Sequence, residues 1–214
     1  MIRIEVKGIK EVLKNLDPKK VDKAAKSALN RVKTQAKTES VRRMSKIWNI
    51  KQSDLLKKSS GKDRIETSGY IGSDLTAHIY FMSGGISLAY LGATEFRFKG
   101  NTLVKMNRKS SRITRRTAKD RTGVQVQTLR GGRVTRLRAF FSAVKFGKSG
   151  AAGYHLGVFS RHKGGGRLPV YERKMISVAT MIRKREVLEP LQKFIREKFD
   201  ERFNHELKRQ GLIK

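Results

Sequence analysis

Apolar residues recur at steps of three and four between Asp17 and Lys57, and no other feature of the chain limits its architecture so tightly. Val21, Ala25, Ala28, Leu29, Val32 and Ala36 share one stripe, which Met44 and Ile47 extend toward Trp48. That spacing is the signature of an amphipathic helix. Asp17-Pro18 supplies its start, since a carboxylate accepts from the free N–H groups of the first turn and proline is tolerated at the first helical position. A helix of about 30 residues, about 45 Å long at 1.5 Å per residue, follows. Its apolar face is narrow and small-sided, while Lys23, Lys26, Arg31, Lys33, Lys37, Arg42, Arg43 and Lys46 fall mostly on the other sides. Trp48-Asn49-Ile50 breaks the pattern. Ser53-Asp54 then caps a further turn through Leu55 and Leu56 before Ser59-Ser60-Gly61 ends the helical region.

Before this helix, Ile2, Ile4 and Val6 alternate with Arg3, Glu5 and Lys7 as a half-buried strand, and Ile9, Val12, Leu13 and Leu16 form a short amphipathic helix. After Gly61 the period becomes two. Ile65 to Ile71 and Ala77 to Met82 read as a hairpin, whereas the apolar run Ile86 to Leu91 stays undecided between strand and helix. Val124 and Val126 open another hairpin through the turn Arg130-Gly131-Gly132-Arg133, with Val134 to Phe141 returning as its partner. One face of the returning strand carries Arg136 and Arg138 beside Val134 and Phe140, and the core face carries Leu137, Ala139 and Phe141. Tyr154 to Phe159 is a further strand, and Leu168-Pro169-Val170 leaves the sheet.

Glu186 opens the last helix, whose apolar positions are Leu191, Phe194, Ile195, Phe199, Phe203 and Leu207. This phenylalanine stripe needs a partner, either the Ala25/Ala28/Ala36 face or an open sheet face. Leu191, Phe194, Ile195, Phe199 and Phe203 are therefore candidate packing or oligomer contacts. The expected fold is α+β, with a long N-terminal helix and a C-terminal helix packed on an antiparallel sheet curled into a small sandwich or barrel. We read one domain over residues 1–214, comprising a helical region 1–60, a β-rich core 61–170 with a basic insertion at 98–121, and the helix 186–210.

Charge is the abnormal quantity. Fifty Lys and Arg stand against 18 Asp and Glu, a net +32, and so one-sided a surface repels itself unless something anionic neutralises it. Nucleic acid is the first candidate partner, and a merely solvated basic surface is the plain alternative. The insertion concentrates the charge: Lys105, Arg108, Lys109, Arg112, Arg115, Arg116, Lys119 and Arg121 face the single acid Asp120. With Arg136 and Arg138 these are the candidate DNA contacts. No zinc finger, aromatic-rich sheet motif or clear helix-turn-helix is present, so binding is expected through phosphates, independent of sequence.

Enzymatic readings find little support. There are no cysteines, which excludes disulfides and thiolate metal sites. His78, His155, His162 and His205 are scattered, and Glu197 and Glu201 sit at salt-bridge spacing. Gly147-Lys148-Ser149 ends like a phosphate-binding loop, but Ser142 stands where the motif requires glycine. No catalysis, cofactor or metal is expected. No apolar run approaches the ~18 residues of a membrane span, and the N-terminus lacks a signal-peptide core, so the expectation is synthesis in the cytoplasm with no membrane partner.

Three blocks in order carry a resemblance. They are Ala28-Leu29-Asn30-Arg31 with Trp48-Asn49-Ile50-Lys51, then Ala139-Phe140-Phe141 leading to Gly157-Val158-Phe159-Ser160-Arg161, then Arg167-Leu168-Pro169-Val170. On these the chain resembles the minor tail protein Z family of tailed phages and prophages. It departs from the family in its longer, more basic stretch from Phe98 to Arg121 and in Glu172 to Ser177, where a Gly-Pro-Ser-like turn is expected. The resemblance implies a structural virion protein at the head-proximal end of the tail, active in tail completion and head-tail joining. It also implies a homo-oligomeric ring, a hexamer by tail symmetry, with tail terminator and head-connector proteins as neighbours and double-stranded DNA in the lumen. A freestanding nucleic-acid-binding protein without sequence preference is the alternative.

Overall fold

The computed structural model describes residues 2–5, 17–56, 63–68, 75–97, 103–104, 122–146, 153–161 and 170–213. The short helix expected over Ile9 to Leu16, most of the basic insertion and the glycine runs at 147–150 and 164–166 lie outside these. The chain falls into two compact units. One comprises Met1–Met44, Asp63–Ser83 and Val178–Lys214, and the other Ser45–Lys62 and Gly84–Ser177.

In the first unit the long helix is present as α1 (Pro18–Ile47), whose last three residues count with the second unit. Asp17 caps it as expected: its Oδ1 accepts the Lys19 N–H at 3.0 Å. The stripe is fully inward, with Val21, Ala24, Ala25, Ala28, Leu29, Val32, Ala36, Val41 and Met44 buried. Alanines at four of these nine positions bury little area each, but they let neighbouring backbone approach closely and favour the helix. A three-stranded antiparallel sheet has the order β1 (Ile2–Glu5), β3 (Thr76–Phe81), β2 (Ile65–Thr67). On β3, Ala77, Ile79 and Phe81 are buried, while Tyr80 is exposed and stacks on His78. Two lysines tie α1 to the flanks of β2, Lys33 Nζ donating to Ser68 O at 2.9 Å and Lys37 Nζ to Asp63 Oδ2 at 3.0 Å.

Two further helices complete this unit: α3 (Val178–Arg183) and α4 (Arg185–Arg209), with the five-residue α2 (Gln52–Leu56) belonging to the other unit. The partner of the phenylalanine helix is the small-sided face of α1. Leu207 joins Val21, Ala24 and Ala25 in one buried cluster, and Phe203, Leu75 and Leu212 pack against it half-buried.

In the second unit the strands form three sheets. A four-stranded sheet has the order β6 (Leu103–Val104), β5 (Thr94–Arg97), β7 (Thr122–Val126), β8 (Thr135–Leu137). A second has the order β11 (Val170–Glu172), β10 (Gly153–Arg161), β9 (Phe140–Phe146), and a two-stranded ribbon pairs β12 (Lys174–Ser177) with β4 (Gly85–Ser87). All pairings are antiparallel. The α+β class holds, but among the described residues the strands divide into separate small sheets with no closed barrel.

Four expectations are corrected. The return from Val134 to Phe141 is two strands: Ala139 N–H donates to Leu137 O at 2.9 Å, a tight turn that sends β8 to β7 and β9 to β10. After Leu168-Pro169 the chain re-enters the sheet, because Val170 already pairs with Arg161. Leu103 and Val104 pair with β5 inside the stretch expected as a loop. Glu186 is preceded by β12 and α3, neither of which carries a long apolar period. The undecided run Ile86 to Leu91 resolves as strand followed by one 3-10 turn, Leu88–Tyr90.

The blocks that carry the resemblance become partners in space. Phe140 and Phe141 lie opposite Phe159 and Val158, the Phe140 and Phe159 rings are 6.3 Å apart, and the Arg161 guanidinium sits 4.8 Å over Phe140. Asn49 packs beneath the turn at Gly92, where φ is +68° and an added Cβ would meet Asn49 Nδ2 at 2.2 Å. Only glycine fits that position.

Candidate nucleic-acid interface

Of the residues expected to touch phosphate, Lys105, Arg108, Lys109, Arg112, Arg115, Arg116, Lys119 and Arg121 lie outside the described residues. Arg136 and Arg138 are described, and both are exposed. For Arg136 the strand explains why, and Arg138 sits just past it in the turn between Leu137 and Ala139. β8 is the outer strand of its sheet, and its register sets Leu137 opposite Val124 and Arg136 opposite Gln125. Val124 and Val126 are buried, so the period of two turns Gln125 and Arg136 to the other face.

The turn that joins β7 to β8 is held from both ends. Gln127 Nε2 donates to Gly132 O at 2.8 Å, and Gly132 N–H donates to Leu129 O at 3.1 Å. Gly131 adopts φ +70° with open space where a Cβ would stand, so the tip projects clear of other atoms. The root is stitched to the end of α1: Asn49 N–H donates to Thr128 O at 2.9 Å, Arg130 N–H donates to Ile47 O at 2.9 Å, and Trp48 bridges Leu129. The Ile47 carbonyl is one of the orphan acceptors that every helix C-terminus leaves, and here the turn satisfies it.

This junction brings together cations that are far apart in sequence. Arg130 and Arg133 flank the glycine pair, Lys46 and Lys51 flank the Trp48-Asn49-Ile50 segment, and all four are exposed. Among the described residues no carboxylate pairs with Arg130, Arg133, Arg138, Lys46 or Lys51. The sequence pattern marked Arg130-Gly131-Gly132-Arg133 only as a turn. Two arginines bracketing a glycine pair were the available signal, but the contribution of Lys46 and Lys51 depends on tertiary pairing. Chemically the arrangement offers several exposed guanidinium forks around a held turn, and such forks bind phosphate oxygens in pairs.

The other candidate set is internal. Leu191 and Ile195 are buried at 0% and 7% exposure, which assigns them to packing within the chain. Phe194, Phe199 and Phe203 are half-buried, with Phe199 stacked on Phe203 at 5.6 Å. The same helix carries the fully buried Glu206, paired with Arg209 Nη2 at 2.8 Å and Arg31 Nε at 3.6 Å, a feature that its i, i+4 polar spacing did not reveal. On its outer face the Lys198 ammonium donates to Glu201 and holds that carboxyl below the ordinary value.

A family model described as prophage minor tail protein Z matches residues 6–213. No curated protein and no solved structure matches the chain.

Proposed function

The chain belongs to the prophage minor tail protein Z family, a structural component of the phage tail, and from that premise we propose that it completes the head-proximal end of the tail and makes it competent to join a filled head. In this reading it acts without catalysis, assembles as a ring of like subunits, meets tail-terminator and head-connector proteins, and holds the genome through phosphates without reading sequence. The family match over nearly the whole chain is the observation that carries the tail role. The +32 charge supports the contact with DNA: subunits so alike in sign repel one another unless a polyanion or acidic neighbours lie between them.

The test is assembly in a phage that lacks this gene. Tails are expected to form but not to join filled heads, and supplying the protein in trans restores joined particles. Joined, infectious particles at the parental yield without the gene refute the reading. Light scattering across a salt series tests the ring, since a closed multimer persists at high salt. A monomer at every salt that still binds DNA tightly is the behaviour of a freestanding binder.

A further inference from the structure

We propose that the β7–β8 turn and the end of α1 form a prebuilt phosphate-binding surface for double-stranded DNA, made by Arg130, Arg133, Arg136 and Arg138 with Lys46 and Lys51. The proposal rests on the DNA contact of the preceding reading and names where that contact is made. Three observations carry it.

The surface is rigid before anything binds. The Asn49, Arg130, Gly132 and Gln127 hydrogen bonds fix the turn against the helix end, so little backbone ordering remains to oppose association. Most of it also lacks an acid: five of its six cations have no carboxylate partner among the described residues. Finally, it is accessible: β8 is the outer strand of its sheet, and the tip of the turn at Gly131 has open space where a Cβ would stand.

Charged residues on an outer strand also discourage edge-to-edge aggregation, and salt dependence separates that role from phosphate binding. The experiment measures binding of the full chain to a short mixed-sequence DNA duplex by fluorescence anisotropy across a salt series. The variant Arg130→Gln/Arg133→Gln/Arg136→Gln/Arg138→Gln is expected to lower the slope of log K against log salt by about 3.6, at about 0.9 per phosphate contact. Over one decade of salt that is an affinity gap of about 4,000-fold. Lys46→Gln/Lys51→Gln is expected to lower the slope by about 1.8. The quadruple Arg→Lys variant keeps the charges and is expected to keep the slope.

If the quadruple Gln variant does not fold, the single changes Arg133→Gln and Arg138→Gln serve instead, each expected to remove about 0.9. A parental chain that binds the duplex with a slope these substitutions leave unchanged overturns the surface while the DNA contact of the preceding reading stands. A parental chain that ignores the duplex but binds polyglutamate through these arginines overturns both, in favour of an acidic protein partner. Neither result bears on the head-joining assay, which tests the tail role separately.

Discussion

Glu206 is wholly buried, yet the two arginines that neutralise it, Arg31 and Arg209, have side chains 47% and 53% exposed. Breaking this triad from its two sides should therefore have unequal consequences. The contacts are close but not aligned, because neither carboxylate oxygen accepts a hydrogen bond within the protein. Glu206→Met removes the desolvated charge, fills a similar volume and leaves two cations that already reach water. What is lost is attraction to half-exposed partners, at most about 1 kcal/mol, and relief of the carboxylate's desolvation offsets it. The expected change is within about 1 kcal/mol, neutral or stabilising. Replacing both arginines, Arg31→Met with Arg209→Met, strands a buried carboxylate with no counter-charge, for which about 3–5 kcal/mol of destabilisation is expected. Urea unfolding followed by circular dichroism reads both. A Glu206→Met loss as large as that of the double arginine variant would refute the reasoning, since it would mean that contact energy rather than desolvation governs the site.

Asp17→Ala removes the acceptor for the Lys19 N–H and should lower stability by about 1 kcal/mol, with faster amide exchange confined to the first turn of α1. Gly92→Ala forces a side chain into φ +68° against the Asn49 amide, and left-handed strain and overpacking together predict a loss of about 3 kcal/mol. Trimming Asn49 to alanine in the same chain should recover part of it in thermal melts, and a double variant no better than Gly92→Ala alone would exclude the clash. The Lys198 hydrogen bond and charge lower the Glu201 pKa from 4.5, so its stabilising contribution is present above pH 4.5 and is lost as pH falls through the lowered value. Lys198→Met should move the Glu201 carboxyl resonance titration back toward 4.5 by NMR; an unmoved titration would remove Lys198 as the cause.

What the sequence disclosed was local. The start of α1 was legible because Asp17-Pro18 and the alanine stripe act within a few residues, and the β7–β8 hairpin was legible because its glycine turn acts between adjacent strands. Sheet membership was not, because it depends on pairing between distant segments: β12 finds β4 with an irregular register between Lys174 and Ser177, and the bond from Ala139 N–H to Leu137 O moves one apolar run into two sheets. The candidate site divides in the same way. Alternation turned Arg136 outward, as expected, but only the stitching of Thr128 and Arg130 to Asn49 and Ile47 places Lys46 and Lys51 beside the arginine turn.

Charge, finally, separates the two units by kind. Between Phe96 and Tyr171, all within the second unit, nineteen Lys and Arg accompany the single acid Asp120, which puts +18 of the chain's +32 into 76 residues. In the first unit Asp22, Glu39, Asp63, Glu189, Glu197 and Glu206 each lie in an ion pair. Apart from that of the buried Glu206, such partly exposed pairs add little stability, but they cancel part of the field that would otherwise draw in a polyanion. Among the described residues of the second unit Lys174 pairs with Glu172, while Arg130 and Arg133 have no carboxylate partner. An electrostatic search for phosphate therefore begins in the second unit. Removing positive charge from the ion-paired face of α1 should change the salt slope of DNA binding less than removing the same charge from the β7–β8 turn.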